Sequence, residues 1–492
     1  MVRVRMTVAR ADENESGPLT GLSLRLATSA LLLVSAVGSA LWILYWDKPY
    51  PGPVLLLVVL SFVPLCLVAA VRSLRRALEF RFVAALIVLL LGFTVVFAEP
   101  GHGADLDVYA MYGRIIVEHG DSPYVHTPSE YSSDPWAKRL VLFKNGRNFY
   151  GPLFIGLTAA IATVARDSHQ LVRLAYKLGA ALAVLLSLII LTRVGAPLAG
   201  IVLLGLNPVT VIEVVGQGRM DAYIGLALLA AAVLARRECL HLAALAIAAA
   251  VLIKVPAGLA LAAFIVWVWR RYGVRKAGAV AASGTVSVGL CYLAAGGLNA
   301  VRPLLDASSS FNSVSIWRLI SEHPNGLAAV TGDPSIELGQ PGSIPTLASF
   351  AAIILGGLFV APRLNDVLPA LVLALPLLAY LLTSPYPSSW YVLWVLPLLA
   401  LRPRSSAALI GVSLGSVLLV RQFYEAAVHY GSGARSFADF TLPVADPLLR
   451  SLHSASFLVE VIGIVILAIT ALRFAQTYRV VPGAGRRSTS SV

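Results

Sequence analysis

The sequence predicts an all-α, polytopic integral membrane protein of about 12 to 15 transmembrane helices. Three observations carry that prediction. Of 492 residues, 58% are hydrophobic and 13% charged, with a mean hydropathy of +0.81; a soluble core is satisfied at roughly 45–50% apolar content. The apolar residues fall into runs of about 16 to 22, repeated from residue 22 to residue 474, the length needed to cross a hydrocarbon core of about 30 Å. Arg and Lys gather at alternate ends of those runs, as short cytosolic loops do.

Taken in chain order, residues 1–25 form a polar tail mixing Arg3, Arg5 and Arg10 with Asp12, Glu13 and Glu15. The apolar run behind it is too long for the core of a cleavable signal, so a cytosolic tail and a retained helix are expected. Spans are expected to begin near Leu26, Pro53, Phe82, Leu171, Ala196, Ala222, Leu240, Gly258, Ala277, Ile344, Val367, Tyr391, Ser406 and Ala455. The cytosolic side is marked by Arg72, Arg75, Arg76 and Arg81, by Arg236 and Arg237, by Arg270, Arg271, Arg275 and Lys276, by Arg363, by Arg402 and Arg404, and by the tail from Arg473 to Arg487. Both termini then lie inside. A crossing at Gly151 to Val164 breaks this parity, so that run is expected to be re-entrant or interfacial on the outer side, which a bilayer tolerates where it lines a protein cavity. The membrane region covers residues 26–474, with external loops at residues 99–150, 297–342 and 422–452. Residues 475–492 are a cytosolic tail with the composition of a disordered end.

Several function classes fall away. The net charge of +13 follows from basic cytosolic loops, and no interleaved aromatic and basic stretch points to nucleic acid. Cys66, Cys239 and Cys291 show no CxxC spacing, so neither a disulfide framework nor a cysteine metal site is expected. No GxxxxGK[ST] cradle for a nucleotide phosphate occurs. The cytosolic loops are short, so chemistry belongs outside, on a donor activated there. A lipid-linked phosphate is the natural candidate.

The first external loop opens Glu99-Pro-Gly-His-Gly-Ala-Asp105-Leu-Asp107-Val-Tyr109. Two carboxylates beside the membrane can present a base to an acceptor hydroxyl, and charge held near a bilayer is costly enough to demand a purpose. Equally, both are solvated and one caps a short helix over Tyr109 to Glu118. Gly113-Arg114 and Glu118-His-Gly-Asp121-Ser-Pro123-Tyr124 follow, and Asn148-Phe-Tyr150-Gly151-Pro152-Leu153 returns the chain to the membrane.

The run DLDVYxxYGRxxxEHGDSPY, then FYGPL, resembles the polytopic GT-C glycosyltransferases, which take sugars from polyprenyl phosphate carriers. Within that superfamily it is similar to the bacterial polyprenyl-phosphomannose-dependent α-mannosyltransferases that build envelope lipoglycans. Leu206-Asn207-Pro208 with Glu213, the turn Gly216-Gln217-Gly218-Arg219-Met220-Asp221, and Pro385-Tyr-Pro387-Ser-Ser-Trp390-Tyr391-Val-Leu-Trp394-Val-Leu-Pro397 extend the likeness, in order, over roughly residues 82 to 401. Three departures stand out. The acidic loop follows the third expected helix rather than the first; the family's carboxylate maps to Asp105 by a DLxVY pattern, the preferred match, or to Asp107 by DVY; and Arg-Met-Asp replaces a common HND triplet.

The resemblance implies a multi-pass enzyme of the plasma (inner) membrane, its active site on the external face, performing inverting transfer with Asp105 or Asp107 as base. The donor is a polyprenyl-phosphate sugar, most readily mannose, and the acceptor a lipid-anchored glycan amid membrane lipids. Substrate-binding candidates are Tyr109, Arg114, Tyr150, Gln217, Arg219, Asp221, Lys254, Arg318, His323, Trp390 and Tyr391. A phosphate leaving group calls for cations, and Arg114, Arg219, Lys254, Arg302 and Arg318 are the candidates. Lys254 binds it or snorkels to the interface; Arg219 does so or pairs locally with Asp221. Trp390 and Tyr391 stack on sugar or belong to an aromatic belt. His323 and His102 are role-bearing or merely exposed. No cofactor is required, though Asp105 and Asp107 offer two oxygen ligands to Mg or Mn, an ion not expected to bind without substrate. Competing readings are an arabinosyl or glucosyl transferase of the same superfamily, a flippase or transporter of lipid-linked glycans, and a non-catalytic assembly subunit. A transporter calls for repeats and ionisable residues at the midplane, whereas here the helix centres are almost free of charge, apart from Glu213 and Glu460 near ends, and acidic and basic residues concentrate in outer loops.

Overall fold

The computed structural model describes residues 34–41, 43–44, 80–99, 105–140, 143–307, 351, 353–358, 369–384 and 386–430. It is 78% helical, with no strand among the described residues, the fold of an all-α polytopic membrane protein. The expected spans near Pro53 and Ala455, the first residues of those near Leu26 and Ile344, both tails, and most of the second and third external loops lie outside the described residues, whereas residues 34–41, 43–44, 351 and 353–358 of the Leu26 and Ile344 spans are helical.

Helix α1 (Phe80–Phe97) buries Val83, Ile87, Leu90, Leu91, Thr94 and Val95 and exposes Val88, Leu89 and Val96. An apolar helix with one face packed and the other bare suits a protein whose solvent is lipid. After the loop come α2 (Asp105–Val117), α3 (Pro152–Ala165) and α4 (His169–Arg193). Helix α5 (Leu198–Gly205) bends by 40° into a π-helical segment, Val209–Val215. The bundle continues with α6 (Asp221–Arg236), α7 (Leu240–Val251), α8 (Gly258–Tyr272), α9 (Val274–Ala294), α10 (Leu298–Ala307), α11 (Ala370–Thr383), α12 (Leu396–Leu399) and α13 (Ser406–Tyr430). Helices α1, α4 and α9 are each long and apolar enough to cross a bilayer, and the bent pair of α5 with the π segment makes a fourth.

Nine expected spans, those near Phe82, Leu171, Ala196, Ala222, Leu240, Gly258, Ala277, Val367 and Ser406, start within three residues of a helix. The helix expected from Tyr391 is different: Ser389–Trp394 is a 3₁₀ helix, followed by the four-residue α12. Pro397 is the physical reason. It has no N–H and its ring excludes the carbonyl four residues earlier, that of Leu393, which lies against Gly225 of α6 instead. Helix α3 spans 14 residues, about 21 Å at 1.5 Å per residue, short of a full hydrocarbon core. It runs beside α2 in the same direction, with Tyr109 against Phe154 near one end and Arg114 bonded to the Arg166 carbonyl near the other.

One end of the bundle gathers the start of α2, the end of the π segment, the start of α6, the turn after α7 and the 3₁₀ helix. Basic residues close the far ends of the helices that meet there: Arg193 on α4, Arg236 on α6, Arg270 and Arg271 on α8.

Candidate active site

The chain leaves α1 under restraint. Lys177 Nζ donates to the Ala98 carbonyl at 2.7 Å, and Arg173 pairs with Glu99 at 2.7 Å. Helix α2 begins with both loop aspartates in its first turn, where carboxylates complement the positive end of the helix dipole. Residues two apart on a helix point in nearly opposite directions, so the two part company. Asp105 faces the bundle, its side chain 21% exposed and ion-paired with Arg219. Asp107 is buried on the other side, 3.7 Å from Arg139 of the loop.

Arg219 stands in the turn between the π segment and α6. Gly218 has φ of +64°, and a Cβ there would press Tyr176 at 2.9 Å, so this turn needs glycine. The guanidinium is held on three sides: Nε donates to Glu213 at 3.2 Å, Nη1 donates to Asp105, and its Cζ lies 3.3 Å from the ring centre of Trp390. Glu213 owes its place to the segment before it. Asn207 Oδ1 accepts the Val209 N–H at 3.0 Å, Pro208 interrupts the α-helical ladder, and the wider π turn brings Glu213 under Arg219. Such π segments recur at functional sites.

Lys254 sits in the turn after α7, its Nζ 3.8 Å from the ring centre of Tyr391, 5.5 Å from Trp394 and 5.7 Å from Tyr150. That turn is clamped to the start of α3: Gly151 N–H donates to the Ile253 carbonyl at 2.9 Å and Leu153 N–H to Leu252 at 3.0 Å. A Cβ at Gly151 would strike the Leu252 carbonyl. Asn148 holds Tyr150 by bonds of 3.0 Å to both its N–H and its carbonyl, and the Tyr124 hydroxyl donates to the same carbonyl at 2.9 Å. Tyr109 meets Tyr150 edge-on at 5.3 Å.

Asp221, the first residue of α6, is fully buried. Its Oδ1 accepts from Trp394 Nε1 at 2.6 Å, and Oδ2 has no partner among the described residues. Trp394 stacks on Tyr391 at 4.8 Å and on Tyr380 at 6.1 Å. Asp221 therefore stands behind the aromatic wall and orients it rather than facing open space.

Asp105, Tyr109, Tyr150, Arg219, Asp221, Lys254, Trp390 and Tyr391 thus converge at one end of the bundle. Gln217 is half-buried in the Arg219 turn. Arg114 is not brought there. Nine residues along α2 from Asp105, about 13 Å, it binds Asp134 through Nε at 3.0 Å, Asp167 at 2.7 Å and the Arg166 carbonyl at 3.2 Å. It is a tether of the loop. His119 also binds Asp134, at 3.1 Å. Burial pushes the Asp134 carboxyl up, but the Trp136 N–H, Arg114 and His119 together hold it below the ordinary aspartate value. Arg302 is exposed on α10; His102, Arg318 and His323 lie outside the described residues. Sequence reasoning did not single out Glu213 or Trp394 for the site. The signals were present: a lone carboxylate in the apolar run after Leu206-Asn207-Pro208, and a second tryptophan one helical turn beyond Trp390.

Asp105 and Asp107 leave α2 in different directions, Asp105 to Arg219 and Asp107 toward Arg139. Among the described residues no three His, Cys, Asp or Glu side chains are grouped to hold a metal. What the cluster offers is a part-exposed carboxylate, two cations and a wall of aromatic rings.

No curated protein matches the chain. The family model described as alpha-(1->6)-mannopyranosyltransferase, N-terminal domain, matches residues 23–271, half of the chain, including Asp105, Glu213, Arg219, Asp221 and Lys254. The chain belongs to this GT-C-like mannosyltransferase family and is a membrane glycosyltransferase.

Proposed function

We propose that the protein transfers mannose, with inversion, from polyprenyl-phosphate mannose to a lipid-anchored glycan at the external face of the plasma membrane, with Asp105 as base. One observation carries this reading: a part-exposed carboxylate, Asp105, lies beside two buried cations, Arg219 and Lys254, under the rings of Trp390 and Tyr391. The acceptor O–H bond breaks and its proton passes to Asp105, while the acceptor oxygen bonds to the anomeric carbon. The bond from that carbon to the phosphate oxygen breaks on the opposite face, its electron pair leaving on polyprenyl phosphate. Arg219 and Lys254 balance the charge that develops, and cations already in position lower such a barrier without reorganising. Trp390 and Tyr391 offer apolar faces to a sugar. Asp107, turned away and paired, holds the loop. No step is routed through a metal.

The external orientation is supported by the basic residues at the far ends of α4, α6 and α8. Helices α2 and α3 then lie at the outer surface as interfacial elements. A flippase has less support, because the Asp105–Arg219–Glu213 group, Asp221 and Lys254 gather at one end of the bundle instead of lining a path through it.

Membranes containing the protein, supplied with labelled mannosyl, arabinosyl and glucosyl polyprenyl phosphates in turn, test the donor. Label entering lipid-linked glycan from the mannosyl carrier alone supports the proposal. Transfer from another carrier moves the sugar assignment, and silence from all three contradicts glycosyl transfer from this donor class and favours the flippase.

A further inference from the structure

Arg219 has two carboxylate partners of unequal standing. Glu213 is locked: its side chain is 6% exposed, it sits inside the π segment, and it takes Nε, the nitrogen nearest the chain. Asp105 is 21% exposed at the mouth of the site and takes Nη1 from the outer edge of the guanidinium. Nη2 has no partner among the described residues, and Trp390 covers the guanidinium face. The outer edge, Nη1 with Nη2, is the fork that matches a phosphate. With the guanidinium fixed by Glu213 and Trp390, a phosphate arriving there competes with Asp105 for the same donors. A carboxylate bound to a guanidinium is a poor base, because the cation favours its charged form; one that has lost that partner is a better base.

We propose that Arg219, anchored by Glu213 and Trp390, exchanges Asp105 for the donor phosphate, so that the base is released only once the donor is seated and the acceptor is deprotonated second. This rests on the donor class proposed above. It adds an order of events, and it assigns Glu213 as a positioning residue that acts through Arg219.

The test is equilibrium binding of polyprenyl phosphate, the leaving group itself, to the full-length protein in nanodiscs, with thermal unfolding of each variant as a control on folding. Removing the competitor should tighten binding: Asp105→Asn is expected to bind about tenfold more strongly than wild type, the order of one charge-assisted hydrogen bond. Asp105→Ser, a second neutral replacement, is expected to do the same. In an Arg219→Gln background the same Asp105 substitutions should change affinity less than about threefold, since the competition passes through Arg219. Equal or weaker binding by the folded Asp105 variants would overturn the exchange while leaving the donor class standing, and so would an equal gain with and without Arg219. A wild type that does not bind polyprenyl phosphate would overturn the donor class and the exchange together.

Discussion

Glu213 shows how much one buried carboxylate can decide. It neutralises Arg219 where water does not reach and sets the angle at which the guanidinium meets the site. Removing one member of a buried pair costs about 3–5 kcal/mol, since the other is left uncompensated. Because Arg219 keeps Asp105, Glu213→Gln is expected at the lower end, about 3 kcal/mol, read as a fall in unfolding temperature in detergent; an unchanged transition would show that the pair contributes nothing to the fold. Gly151→Ala is a different kind of change. The added Cβ meets the Leu252 carbonyl, so the loop must back away from the Lys254 turn and carry Tyr150 with it. Transfer activity is expected to fall at least tenfold, the scale of a small misplacement at a reacting centre, and wild-type activity would mean that the turn and the loop need not touch. Part of this was legible in the sequence: Asp105, Arg219 and Trp390 stand in short motifs that are read in order, and Lys254 is the one cation in the apolar run before Pro256. Glu213 stands beside Leu206-Asn207-Pro208 in the same order but carried no assigned role, because a single acid near the end of an apolar run looks like any interfacial charge until the π turn behind Asn207-Pro208 shows where it points. Arg114 was misplaced for the converse reason. It shares a helix with Asp105, but sequence does not show that Asp134, twenty residues on, returns to claim it.

Among the elements, the loop between α2 and α3 is held by ion pairs in addition to the buried Tyr124, Trp136 and Leu140. Asp134 draws Arg114 and His119 together, and Glu130 is held at about 2 by the His126 ring and the Thr127 N–H and hydroxyl. Both carboxyls lie below their ordinary values in the folded loop, so their contribution is fully present above the ordinary carboxylate range near 4 and is lost as pH falls below it, for Glu130 through about 2. Limited proteolysis of the loop is therefore expected to accelerate between pH 4 and pH 2 in the wild type. Asp134→Asn should already be cleaved quickly at pH 6. Equal cleavage rates for the two proteins at pH 6 would contradict the loop's dependence on Asp134. The places where nine helices start were legible from the apolar runs, but among the described residues only α1, α4, α9 and the bent pair of α5 with the π segment reach spanning length. The stretch from Tyr391 was the exception: its composition suits a span, but Pro397 and the approach to Gly225 turn it into a 3₁₀ helix and a short α12.

For the whole molecule, the architecture divides the labour between two ends. Positive charge stands at the far ends of α4, α6 and α8, while carboxylates, Arg219, Lys254 and the aromatic wall meet at the near end, drawn from positions 105 to 394. No single segment makes this site: the family match over residues 23–271 covers both cations and stops short of Trp390 and Trp394. The central claim, that Asp105 is the base of a mannosyl transfer, is tested most directly by labelled transfer from polyprenyl-phosphate mannose in membranes carrying equal amounts of wild type, Asp105→Asn and Asp107→Asn. Loss of a general base costs about 10²- to 10⁴-fold, and that loss is predicted for Asp105→Asn, with Asp107→Asn keeping transfer at a lowered unfolding temperature. Full transfer by Asp105→Asn, or loss confined to Asp107→Asn, would contradict it.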